Sequence, residues 1–141
     1  MSDWIRHTPR LTHHAALAVL HAAIEKSEQL GVAQNIAIVD EGGNLLAFIR
    51  MDGAKLLSRE TAISKAISAA SHRQPTAQLD PDLELKLAIA AGGRLTNLEG
   101  GQPLMIGDVC VGGIGVGSGT GQQDIEVAKA GAAVLVEGVQ A

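Results

Sequence analysis

Aromatic side chains are almost absent from this 141-residue chain: Trp4 and Phe48 are the whole set, with no tyrosine. A core without rings must be assembled from Ala, Val, Ile and Leu, and the 17 glycines permit close approach of backbones. Packing of that kind leaves room for a flat apolar ligand or for a tight interface between subunits, and composition does not choose between them. Cysteine is nearly missing as well. Cys110 stands alone, which excludes an intrachain disulfide, and inside a strand-like run it reads as a small buried hydrophobe. There is no basic run and the formal charge is -4, which argues against nucleic acid as a partner. No apolar run approaches the roughly 20 residues that span a bilayer, and the opening MSDWIRHTPRLTHH has no signal-peptide core. The expectation is a soluble cytoplasmic protein. With 46% hydrophobic and 18% charged residues, it should form one globular domain rather than a disordered chain.

Residues 1–10 read as an arm and residues 11–141 as a single domain. Leu11 to Leu30 has an apolar stripe at Leu17, Leu20 and Ile24 and stops at Gly31, as a helix does. Asn35 to Val39, the turn Glu41-Gly42-Gly43-Asn44 and Leu45 to Ile49 form a hairpin. Its second arm is fully apolar, which predicts cover on both faces. A helix follows over Ser58 to His72, with Ile63, Ala66, Ile67 and Ala70 inward and Pro75 beyond its end. Asp80 as N-cap and Pro81 at the first helical position open a short helix that Gly92-Gly93 stops. Arg94 to Gly101 has no clear period. Leu104 to Ile106 and Val109 to Val116 pair around a Gly107-Asp108 turn. Gly112, Gly113 and Gly115 would weaken that strand unless another backbone or a ligand lies directly on it. A last helix runs from about Gln122 to Gly138, with Ile125, Ala128, Ala132 and Leu135 inward. Hairpins and helices in this order predict an antiparallel sheet layered with helices, an α+β domain.

The glycine run 112–121 fails as a dinucleotide fingerprint, because G-x-G-x-x-G counted from Gly113 ends on Ser118 and from Gly115 on Thr120. Gly117 to Gly121 nevertheless leads from a strand into a helix start, where free N–H groups favour an anion. His14 and His21 stand seven apart, about 10 Å along one helix face, too far to share a metal ion. No spacing makes a zinc site. Arg50 and Asp52 flank the exit of the first hairpin, with Lys65 on the next helix. Two readings stand: an Arg50–Asp52 pair that fixes the loop, or a cation that holds an anionic group while Asp52 orients it. Asp124, near the start of the last helix, reads as a carboxylate favoured by the helix dipole.

The stretches IAIVDEGGNLLAFIRMDGA at 36–54, SKAISAA at 64–70 and GGQPLMIGDVCVGGIGVGSGTGQQDIEVAKAG at 100–131 resemble the GlcG/HbpS-type family of small haem-binding proteins. They are also similar to the C-terminal domain of PduO-type propanediol-utilisation proteins. The likeness runs from about Leu11 to Leu135. It implies a five-stranded antiparallel sheet with helices, profilin-like or roadblock-like, in a homo-oligomer that binds haem b. His14, His21 and His72 are the candidate iron ligands, since one imidazole can ligate haem without a partner motif. Arg50 or Lys65 would meet a propionate, and the Gly117-Ser118-Gly119 loop would line the site. The family also contains proteins of catabolic pathways. They suggest an alternative: a cofactor-independent lyase, isomerase or hydratase of a small carboxylate or aromatic intermediate. Asp52 or a histidine would then be the acid/base group and Arg50 would hold the carboxylate. A non-catalytic accessory subunit is the third reading. The family loop is usually G-V-S-G-G-T, whereas this chain has Gly115-Val116-Gly117-Ser118-Gly119-Thr120, its serine one position later.

Overall fold

The computed structural model describes the backbone of residues 2–140 and the side chains of residues 3–136. After a short 3-10 turn at Ser2–Trp4, the order is α1 (His13–Leu30), β1 (Asn35–Asp40), β2 (Leu45–Arg50), α2 (Ser58–His72), α3 (Pro81–Ala90), β3 (Gly101–Ile106), β4 (Val109–Gly117) and α4 (Gly121–Gln140). The strands form an antiparallel sheet in the order β2-β1-β4-β3. The chain is therefore α+β, as expected, but with four strands among the described residues instead of five. The irregular stretch before Gly101 adds no strand. It is tied to helices by side chains instead: Ser68 Oγ accepts from Thr96 N (2.9 Å), and Asn97 Oδ1 accepts from Leu79 N (3.0 Å).

Layering follows from strand parity. Ile36 and Ile38 of β1 face a core shared with Val19 and Ala23 of α1 and Val127 and Ala128 of α4. Ala37 and Val39 face Ala62, Ala66 and Ala70 of α2. All of β1 is buried, because it has a strand on each side and helices on each face. Cover on both faces thus belongs to β1 and not to β2. The latter is an edge strand whose Leu45, Leu46 and Ile49 are exposed, while its middle residues Ala47 and Phe48 pack on the two cores.

The alternation Gly113-Ile114-Gly115-Val116-Gly117 is the same parity read along β4. Ile114 and Val116 enter the α1/α4 core, and the glycines pass beneath α2. A Cβ at Gly115 would fall on the carbonyl oxygen of Ala62, and one at Gly113 on that of Ala66. The alanine stripe of α2 at Ala62, Ala66 and Ala70 completes a contact of backbone on backbone. This meets the expectation that another backbone rests on the glycine strand, and it explains why the core needs no aromatic rings.

Local signals set the element ends, and α1 starts at His13, two residues after the expected Leu11. Thr12 caps α1 by accepting from Ala15 N (3.1 Å), and Gly31 ends it at φ 69°. Asp40 organises the first turn: its Oδ1 accepts from Gly42 N (2.9 Å) and Asn44 N (3.0 Å). Burial opposes ionisation of this carboxyl, yet the donors on Asn44 and Gly42, with Arg10 nearby, hold its pKa below the usual value. Gly107 takes φ 59° between the paired residues Ile106 and Val109, the geometry a Gly-first two-residue turn requires. Residues 3–10 run as an arm before α1, and Arg10 meets Glu41 at 3.2 Å. Met1 and Ala141, at the outer limits of the arm and the domain, lie outside the described residues.

Candidate functional site

The most developed polar cluster forms where the end of β4, the loop into α4 and the first turns of α2 converge. Lys65 sits on the sheet-facing side of α2 and is only 4% exposed. Its ammonium donates to Val116 O at 2.7 Å and to Asp124 Oδ2 at 3.1 Å. Gly100 lies close beside the ammonium: a Cβ there would stand 3.3 Å from Lys65 Nζ, a tight contact. Asp124, also 4% exposed, accepts from Gly119 N at its other oxygen (3.1 Å). Burial pushes the Asp124 carboxyl above its usual pKa. Lys65, the Gly119 N–H and the Gln34 amide pull the other way without cancelling that effect. Gln34 is fully buried and lies close enough to favour the carboxylate. Its two amide atoms nevertheless meet no hydrogen-bond partner in proper geometry among the described residues. A satisfied ion pair with a loose amide behind it is a strongly coupled element in a low-dielectric setting.

The wall of the cluster is the Gly117–Gly121 loop. Ser118 has φ 95°, a region that L side chains rarely adopt. The conformation is held by a hydrogen bond across the chain, in which Ser118 Oγ accepts from Lys55 N (2.9 Å), while Asn35 Nδ2 donates to Lys55 O (2.8 Å). At the start of α4, Thr120 Oγ1 accepts from Gln123 N (3.2 Å) and Gln123 Oε1 accepts from Thr120 N (2.9 Å). This reciprocal cap occupies helix-start donors that the sequence offered to an anion. Lys55, Ser58, Ser118, Glu99 and the buried pair border a cleft of about 500 Å³, within the range of small-molecule sites.

The other expected residues are distributed elsewhere. Arg50 and Asp52 are exposed, and no ion pair joins them among the described residues. The loop-fixing Arg–Asp pair is therefore absent, and Lys55, with its peptide held at both ends, anchors that loop instead. His14 and His21 are exposed on α1, where the His13 and His14 rings lie 4.1 Å apart. His72 is exposed at the end of α2 with Nδ1 against Ser68 O (3.1 Å), a bond that needs a proton on Nδ1 and leaves Nε2 as the free ring nitrogen. Because α1 and α2 cover opposite faces of the sheet, His72 does not join the other two. A second cleft, of about 530 Å³, has Arg6, Glu41, Arg73, Asp108 and Cys110 on its walls. Among the described residues, no three His, Cys, Asp or Glu side chains converge on a metal position, and no helix is long and apolar enough to cross a membrane. Sequence reasoning missed the partnership of Lys65 with Asp124 and read the aspartate as a dipole effect. The two are 59 residues apart, so no local period links them.

Comparison with known proteins agrees with this architecture. Residues 11–133 match the family described as haem-degrading protein HbpS-like. The chain is 35% identical over 107 residues to the protein GlcG of Escherichia coli, which covers 75% of this chain and 80% of GlcG. It is 29% identical over 130 residues to the corrinoid adenosyltransferase PduO of Salmonella typhimurium, covering 89% of this chain but only 39% of that longer protein. The crystal structure of HbpS superposes with a TM-score of 0.84 at 36% identity, covering 94% of this chain and 95% of HbpS. That of a PduOC–haem complex superposes with a TM-score of 0.81 at 28% identity, covering 89% and 94%. By sequence and by fold, this chain belongs to the HbpS-like family.

Proposed function

We propose that this protein binds haem in the cytoplasm as a homo-oligomer and serves a haem-handling or haem-dependent redox role. The observation that carries the reading is the close superposition on a relative whose structure is that of a haem complex, within a family described by haem degradation. The residues present fit the group. Exposed imidazoles occur at His14, His21 and His72, and His72 has the arrangement favoured by a metal-binding histidine, with one ring nitrogen on a carbonyl and the other free. Arg73 beside it, and Arg50 on the sheet edge, are exposed cations suited to propionates. Lys65 is less suited to that task, being buried and already paired. The single cysteine cannot supply the paired attachment of a c-type haem, and haem b is the form we propose. When bound, haem supplies an iron centre whose reactivity its axial ligand and surroundings tune.

Titration of the purified protein with hemin checks this reading. A saturable Soret shift at one equivalent is expected, weakened in His72→Ala more than in His14→Ala or His21→Ala. A spectrum that stays that of free hemin at stoichiometric concentration would remove it.

A further inference from the structure

The cleft over the Lys65–Asp124 pair has none of the three candidate iron-ligand histidines on its wall, and its hydrogen-bonding inventory is lopsided. Lys65 Nζ carries three protons and has two acceptors, Val116 O and Asp124 Oδ2. Ser118 Oγ accepts from Lys55 N and keeps its own proton to give. Among the described residues, the Lys55 ammonium, the Ser58 hydroxyl and the Glu99 carboxylate have no side-chain partner, although all three border the cleft. Among these side chains there are thus four uncommitted donor groups, two of them ammonium, and one group that can only accept, Glu99. At the helix start Thr120 and Gln123 cap each other, which occupies two of its N–H groups. Gly119 brings the loop directly onto the pair: a Cβ there would lie 2.8 Å from Gln34 Nε2 and 2.9 Å from Asp124 Oδ1. The strained Ser118 backbone marks the same wall as built for more than packing.

We infer that this cleft binds a small hydroxycarboxylate anion, with its carboxylate on Lys55, the remaining Lys65 N–H and the Ser118 hydroxyl, and its hydroxyl on Glu99. An acceptor-rich carboxylate answers the surplus of donors, and a ligand O–H answers the lone free carboxylate. A dianion with no hydroxyl would leave Glu99 facing like charge, and a neutral polyol would leave Lys55 unmatched. Asp124, with its carboxyl readier to hold a proton than usual, lies under the bound anion. The site goes beyond the haem reading and does not depend on it.

Calorimetric titration of the full-length, haem-free protein with lactate, propionate and glycerol tests the inference, with amide NMR spectra recorded alongside. Lactate should bind saturably and move the Lys55, Ser118 and Gly119 amides, propionate should bind about tenfold more weakly, and glycerol should not bind. Lys55→Ala should cut lactate affinity about tenfold or more, the loss of one charged hydrogen bond. Glu99→Ala should bring lactate down to the level of propionate. Both residues are exposed, so unchanged melting temperatures will show that the variants fold. Absence of lactate binding, equal affinity for lactate and propionate in the unaltered protein, or lactate affinity unmoved by Lys55→Ala overturns the inference. Any of these outcomes can occur whether or not hemin binds.

Discussion

Replacing Lys65 by methionine keeps the length and apolar stem of the side chain and removes the ammonium alone. Asp124 is then left as a buried carboxylate with Gly119 N as its remaining donor, and Lys65→Met should cost about 3–5 kcal/mol at neutral pH. The sign of the pH dependence follows from the direction of the shift. Asp124 already titrates above its ordinary value, and losing Lys65 raises it further. A group with a raised folded pKa favours the fold while protonated and loses that contribution as pH rises through the folded value. The deficit of the variant relative to the unaltered protein should therefore shrink as pH falls from neutral towards the unfolded Asp value, in denaturant titrations at several pH values. A deficit that stays constant with pH would mean the methionine acts by packing alone. At this scale the sequence was a partial guide. It marked Lys65 and the Ser118 loop by residue type and pattern, and missed their real partners, Asp124 and Lys55, because those contacts join distant segments.

Elements were more legible than side-chain partners. The capped start of α3 at Asp80 and Pro81, the end of α1 at Gly31 and the full extent of α2 stand where propensity and capping residues put them. The glycine strand was readable as a close-approach surface, although what approaches it was not. Gly115→Ala tests that contact directly. The added methyl meets backbone atoms of Ala62 and Ala66, which have no rotamer to yield, so α2 must lift from β4. The expected cost is on the order of 3 kcal/mol, read as a lower melting temperature. Since α2 carries Lys65, the same variant should also weaken the cleft over Asp124. The expectation for β2 failed for a physical reason: an apolar run is compatible with burial on both faces, or with an edge strand whose outer face awaits a neighbour.

On the scale of the whole molecule, α3 stands out because none of its residues is buried, its apolar Leu85 and Ile89 being 67% and 71% exposed. Leu83 and Leu98 add exposed apolar surface nearby. Apolar surface of this kind, held in place by Asn97 bonds to Leu79 and Glu84, suits the homo-oligomer proposed above. The double substitution Leu85→Glu and Ile89→Glu should convert the protein to smaller species in sedimentation or light scattering while its helical content is kept. An unchanged mass would place the subunit contacts elsewhere. By itself the sequence determined the α+β class, the four α-helices, the stop of α1 at Gly31, the capped start of α3, the two hairpins and the family, because those depend on short periods and local turn chemistry. The tertiary structure alone decided that β1 is the doubly covered strand, that the sheet has four strands among the described residues, and that Lys65 and Asp124 meet. Strand order and the burial of a charge depend on which distant segments come together, and no local period encodes that.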